Sequence, residues 1–210
     1  MIRKRKIRFK LTIQRQHNNP FMGFIMLSLF LILYCNNPFK TRDAEEPDGS
    51  SVTFIQPTSP EIVIANMITS LRERNATNYM KCFNLDNSIS FNFIPDPSAK
   101  ENYLSALSDW DLNKESAYIT SLFFSMPEDS LANLNLEGVE EYVFADSAMF
   151  IKIYTLQMHH TAAEAPRDFS GRLDFGFKRL QSGLWVISSW ADYRTEDKPV
   201  WSELKASFVF

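Results

Sequence analysis

The chain has 210 residues, enough for one domain plus a leader and a linker. Of its 22 basic side chains, seven (Arg3, Lys4, Arg5, Lys6, Arg8, Lys10 and Arg15) fall in residues 1–34 with no acidic one, so residues 35–210 hold 15 basic against all 25 acidic, a formal −10. That balance argues against nucleic acid as a partner of the body, because phosphate binding needs a positive field. Two cysteines, Cys35 and Cys82, exclude a disulfide framework.

The basic stretch at residues 3–15 precedes an apolar run from Phe21 to Tyr34. A charged segment followed by a short apolar one is the layout of an export signal. The run falls short of the roughly 20 apolar residues that span a bilayer as a helix. Positive charge ahead of it would keep the N-terminus cytoplasmic and send the remainder outward. No pair of small residues offers a cleavage site for a soluble secreted form; Ala44 follows Arg42 and Asp43, far from the run. Instead Leu31, Ile32 and Leu33 lead through Tyr34 to Cys35. This resembles the lipobox of bacterial lipoproteins. The resemblance implies that the Cys35 thiol is diacylglycerol-modified and becomes the first mature residue. Tyr34 departs from the pattern, which usually has Gly, Ala or Ser there. An uncleaved signal anchor ending at Cys35 is the alternative.

After Cys35 the sequence reads "NNPFKTRDAEEPDGSS", with Pro38, Pro47 and Gly49 and few apolar residues. Such a composition cannot bury a core and reads as a solvated tether, residues 35–60. By the same resemblance, Asn36 in place of Asp carries no inner-membrane retention signal. The expected location is the outer membrane facing the periplasm, with an inner-membrane anchor as the alternative.

The folded part is expected over residues 61–210. Ser59 and Pro60 make a helix start, with proline where its missing N–H costs nothing. Val63, Met67 and Leu71, with Ile64 and Ile68, form an apolar stripe at helical spacing. Glu61 suits the positive end of that helix, and Arg72 and Arg74 the negative end. Asn75 opens a second short helix, "NATNYMKCF", where Asn75 of the Asn-Ala-Thr sequon reads as capping chemistry. Cys82 reads as a small buried residue. "SISFNFI" is β-like, with Ile89, Phe91 and Phe93 on one side, and closes at Pro95 and Pro97. A third helix is expected over about 111–125, capped by Asp111 or Asn113, with Glu115, Ile119, Leu122 and Met126 at helical spacing.

Beyond Pro127 the pattern is that of strands. Leu131, Leu134 and Leu136 fit a first one. Met149, Ile151 and Ile153 lie on one side of the next, and Phe150, Lys152, Tyr154, Leu156 and Met158 on the other. In "GRLDFGFKRL", Leu173, Phe175 and Phe177 face inward. "QSGL" is a turn and "LWVISSWADY" the partner strand of a hairpin. In "PVWSELKASFVF", Trp201 and Leu204 suit a last helical turn docked on the sheet.

Helices followed by antiparallel strands make an α+β pattern. "RNATNYMKCFNLDNSISFNF" resembles the segment of nuclear transport factor 2-like domains where two helices lead into the first strand, and "GLWVISSWAD" resembles their last strand. The resemblance covers residues 61–193 and implies a cone of curved antiparallel sheet wrapped around N-terminal helices. The tether and the ending are also similar to those of uncharacterised bacterial lipoproteins with this domain. Relatives whose sheets pair face to face imply a protein partner or a homodimer.

Enzymes of that superfamily work inside the cone, and Asp96 is the nearest match to the isomerases' proton-shuttling base. No second group to stabilise an enolate is identified, and an Asp between two prolines is a turn former anyway. His159 and His160, as strand neighbours, point to opposite faces and cannot share a metal; they read as a solvated strand end. Six scattered glycines leave no phosphate-cradling loop. No catalytic residue, metal or cofactor is assigned. Val186, Ser188, Trp190 and Asp192 alternate onto one face of the last strand, and Tyr154 faces the same way, so Tyr154, Trp190 and Asp192 are the candidate ligand-binding residues. Trp190 as plain core, with Trp185 packing the opposite face, is the bland reading. Two functions follow. One is a membrane-anchored envelope lipoprotein whose non-catalytic domain binds a partner or small ligand. The other is an isomerase- or hydrolase-type enzyme using the cone. Ionisable groups converging in an apolar cavity favour the enzyme; a filled interior favours the binder.

Overall fold

The computed structural model describes residues 54–83 and 88–209. The stretch read as an export signal, Cys35 and the greater part of the expected tether lie outside the described residues. Among the described residues no helix is long and apolar enough to cross a membrane.

Among the described residues six helices and five strands follow in order. Helix α1 is Pro60–Arg72, α2 Ala76–Met80, α3 Pro97–Asn102, α4 Leu104–Leu107, α5 Leu112–Phe124 and α6 Trp201–Phe208. Strand β1 is Asn92–Ile94, β2 Asn133–Val143, β3 Ser147–Gln157, β4 Asp168–Arg179 and β5 Trp185–Tyr193. The strands form one sheet in the order β1-β5-β4-β3-β2. The fold is α+β, as expected, but the sheet is mixed rather than antiparallel: β1 pairs with β5 in parallel, Phe93 beside Trp190. A strand of three residues followed by helices has no hairpin partner in sequence, so it takes the free edge of β5 instead.

The inward faces of β3 and β4 follow the expected alternation. Phe150, Tyr154 and Leu156 are buried on β3 and Leu173, Phe175 and Phe177 on β4, and cross-strand pairs such as Phe150–Phe175 put them on one face. The register between β4 and β5 shifts at Gly176/Phe177. Beyond that bulge Trp185 and Ile187, not Val186 and Ser188, share the face of Trp190 and Asp192. The single alternation expected along β5 is therefore broken at Ser188–Ser189. Trp185 lies on the core face, not the opposite one. A second bulge at Gly138/Glu140 in β2 adds to the curvature.

The helices start where their caps predict. Asn75 Oδ1 accepts from the N–H of Asn78 and Asp111 Oδ1 from that of Lys114, both at 2.9 Å. Helix α1 ends with Arg74 in the left-handed region (φ 52°). There Asn75 N–H reaches Ser70 O and Arg74 N–H reaches Leu71 O, closing the helix. A side chain is tolerated where glycine is usual because the Arg74 guanidinium donates to Pro127 O at 2.7 Å, just past the end of α5. Helices α3 and α4 occupy a stretch where no helix was expected. The end of the segment read as a tether is held on the body: Asn66 exchanges hydrogen bonds with the backbone of Ile55, and Trp185 N–H donates to Pro57 O. Ordered structure thus includes residues 54–60.

Candidate functional site

The interior between the helices and the sheet holds an ion pair. Glu115 sits on α5, on the stripe it shares with Ile119, Leu122 and Met126, and is fully buried. Lys205 sits on α6, equally buried, and its Nζ donates to both carboxylate oxygens of Glu115, at 2.5 Å to Oε1. Tyr79 Oη on α2 donates to Oε1 and Trp110 Nε1 to Oε2, each at 2.7 Å. The carboxylate thus has donors on both oxygens from two helices and the turn before α5, which is what a buried charge requires.

The ammonium is also boxed by aromatic faces. Lys205 Nζ lies 4.1 Å from the ring centre of Trp190, 4.7 Å from Phe93, 4.8 Å from Tyr118 and 5.0 Å from Trp110. These distances are those of cation–π attraction, which strengthens when water is excluded. Asp109, left-handed at φ 47°, stands at the turn that carries Trp110 into the box. Burial pushes the Lys205 ammonium down to about 8, against the opposing pull of Glu115. Burial also raises the Tyr79 and Tyr118 hydroxyls well above the usual phenol range, with the Glu115 charge acting in the same direction.

The three candidate ligand-binding residues come together beside this box, and α6 is docked on them. Tyr154, Trp190 and Asp192 are all fully buried. Tyr154 Oη donates to Asp192 Oδ1 at 2.9 Å and accepts the Trp201 backbone N–H at 2.7 Å. Asp192 Oδ2 accepts from both Ser202 N (2.7 Å) and Ser202 Oγ (2.6 Å). The carboxylate therefore serves the free N–H groups at the start of α6, a favourable place for negative charge. Trp201 stands edge-on to Trp190, ring centres 4.7 Å apart, and its Nε1 donates to Tyr118 Oη. Burial raises the Asp192 carboxyl to about 6, partly offset by the hydrogen bonds from Ser202 and Tyr154. Burial and Asp192 likewise raise the Tyr154 hydroxyl.

Asp96 is the N-cap of α3. Its Oδ1 accepts from Ala99 N–H and its Oδ2 from Arg194 N–H, while its own N–H donates to Ser202 Oγ. It is thus a turn former tied to the α6 anchor. His160 is not on a solvated strand end: β3 stops at Gln157, and His160 is buried with Nε2 on Pro166 O and its ring against Phe208. His159 is exposed. Cys82 is buried, and burial raises its thiol well above the usual range. Among the described residues no group of three or more His, Cys, Asp or Glu is placed to hold a metal.

Sequence reasoning missed Lys205 and underused Glu115. Both carried a signal. Glu115 is a carboxylate on an otherwise apolar stripe, and Lys205 shares with Trp201, Leu204 and Phe208 the i, i+3, i+4, i+7 face of α6.

No known protein family and no curated protein matches the chain. Solved structures do. A nuclear transport factor 2-like superfamily protein from Salmonella enterica is 13% identical, with 66% of this chain and 87% of that one covered and a TM-score of 0.48. A conserved protein from Planctomyces limnophilus is 10% identical, covering 63% and 91%, TM-score 0.49. A protein of unknown function with a cystatin-like fold from Nostoc punctiforme is 10% identical, covering 66% and 90%, TM-score 0.44.

Proposed function

We propose that this is a membrane-anchored envelope lipoprotein with a nuclear transport factor 2-like domain that acts by binding a partner or small ligand rather than by catalysis. The observation that supports the binding reading is that the interior is closed. Glu115, Lys205, Tyr154, Trp190, Asp192 and Trp201 are all 0% exposed, and the four charged or phenolic members have partners within the protein. A catalytic acid or base needs reach to a reacting atom, and here every such reach ends on a neighbouring side chain. The anchoring reading rests on the aliphatic run that ends at Cys35 and on the polar segment after it.

The alternative is an isomerase- or hydrolase-type enzyme. Its support is the convergence of Glu115, Lys205, Tyr154 and Asp192 in an apolar surround, the arrangement that shifts pKa values in catalytic sites. The filled interior weighs against it. Intact mass of the membrane-extracted protein tests the anchoring. Wild type should weigh as residues 35–210 plus acyl groups, and Cys35→Ala should lose that modification. An unmodified full-length mass in the wild type would sink the lipoprotein reading and favour the signal anchor.

A further inference from the structure

Every wall of the box around Lys205 comes from outside α6. Phe93 is on β1, Trp110 precedes α5, Glu115 and Tyr118 are on α5, and Trp190 is on β5. Tyr79 on α2 and Trp110 orient the carboxylate without help from α6. Helix α6 contributes the cation, and its Trp201 braces two of those walls, Trp190 and Tyr118, from behind. We infer that the cone is a receptor for an alkylammonium group and that α6 is its tethered occupant: an amine-bearing ligand takes the place of Lys205 between Glu115 and the four rings when α6 lifts away. This names the ligand class of the binding reading above and rests on it.

The chemistry of the box selects the ligand. Four ring faces at 4.1–5.0 Å suit a compact cation with an alkyl stem. A divalent metal would need about six oxygen ligands, and the box offers one carboxylate. A guanidinium carries five donors in a planar fork, more than two carboxylate oxygens that also serve Tyr79 and Trp110 can accept. Without a cation the box would hold an unpaired buried charge, a costly state that draws a replacement in.

The attachment of α6 is compatible with exchange. It is held by the apolar face of Trp201, Leu204 and Phe208 in the core and by polar contacts at Asp192, Tyr154 and the Arg194–Glu203 pair, and it forms no strand of the sheet. The segment before it is exposed at Glu196, Asp197 and Lys198. Docking also buries Asp192 and Lys205, and burial disfavours the charged form of each. The closed form leaves Trp190 Nε1 buried without an acceptor.

The test uses the detergent-solubilised full chain, with n-butylammonium chloride as the probe and n-butanol and sodium chloride as controls. In Lys205→Ala, butylammonium should raise the thermal midpoint in a saturable way, and neither control should. In the wild type, probe at about ten times its dissociation constant should raise the population of the open form about tenfold, read as faster amide exchange confined to residues 201–208. Equal stabilisation by butanol, or unchanged exchange in the wild type, overturns the inference. If Lys205→Ala does not fold, the exchange measurement decides alone. Neither result touches the mass measurement, so the anchoring reading stands or falls separately.

Discussion

Glu115 and Lys205, ninety positions apart in sequence, form an ion pair with both side chains fully buried. Such a pair is costly to half-remove and cheap to replace whole. Breaking it from one side leaves a charge without a counter-ion in a dry interior, at about 3–5 kcal/mol. Glu115→Ala should lower unfolding stability by that amount in urea titration. The double change Glu115→Leu with Lys205→Met should recover most of the loss. A double variant as unstable as the single one would show that the pair, or the Tyr79 and Trp110 donors orphaned with it, carries the stability.

Asp192 sets a pH window. Its folded value of about 6 lies above the unfolded 3.8, so the folded protein holds this proton more tightly than the unfolded chain. The group's stabilising contribution is full below about pH 4, falls between about 4 and 6, and is gone above 6, about 3 kcal/mol in all. Burial sets the rise and the like charge of Asp96 adds to it, while the hydrogen bonds from Ser202 and Tyr154 oppose it. In Asp192→Asn that part of the stability–pH curve should be flat. Urea midpoints at pH 4.5 and 6.5 (about the window's two ends), for wild type and variant, are the measurement. An unchanged slope in the variant would assign it to other groups.

Gly171 faces Tyr154 across β3 and β4. A Cβ there would stand 2.5 Å from the Tyr193 carbonyl oxygen and 3.0 Å from Tyr154 Oη. Backbone cannot yield as a flexible side chain does. Gly171→Ala should therefore destabilise by about 1–3 kcal/mol and perturb the Tyr154–Asp192 hydrogen bond. A neutral thermal midpoint would mean that the strands shift to admit the methyl.

Asp96 ties three segments: its own helix α3, the end of β5 through Arg194, and α6 through Ser202. Loss of an N-cap alone costs about 1 kcal/mol. Asp96→Ala should exceed that, because Arg194 N–H also loses its acceptor. Asp96→Asn should keep most of the stability, since its amide oxygen can still cap α3. If both variants behave alike, the cap contributes nothing and the Arg194 acceptor carries the whole loss.

Local pattern carried much of the fold. The stripe Val63, Met67 and Leu71 is buried on α1, and the alternation of Phe150 to Leu156 and of Leu173 to Phe177 holds on β3 and β4. Asn75 and Asp111 cap as their residue types predict. What was not legible is non-local. A parallel partner for β1 leaves no mark in "FNFIP", because pairing is decided by which sheet edge is free. The bulge in β5 sits between two serines, which carry no face preference. The site was half legible: Tyr154, Trp190 and Asp192 do meet, but α6 meets them too, and the charge at its centre comes from a lysine that reads as surface unless the whole α6 face is counted. His160 was misplaced because β3 ends earlier than the apolar pattern does.

The parallel pairing of β1 with β5 has a kinetic consequence. Phe93 waits for Trp190, Phe83 for Ile187, Asp96 for Ser202 and Glu115 for Lys205. Each closes a loop of about a hundred residues, and such closures must be made before they return any contact energy. Refolding from denaturant should therefore wait on the arrival of residues 185–208.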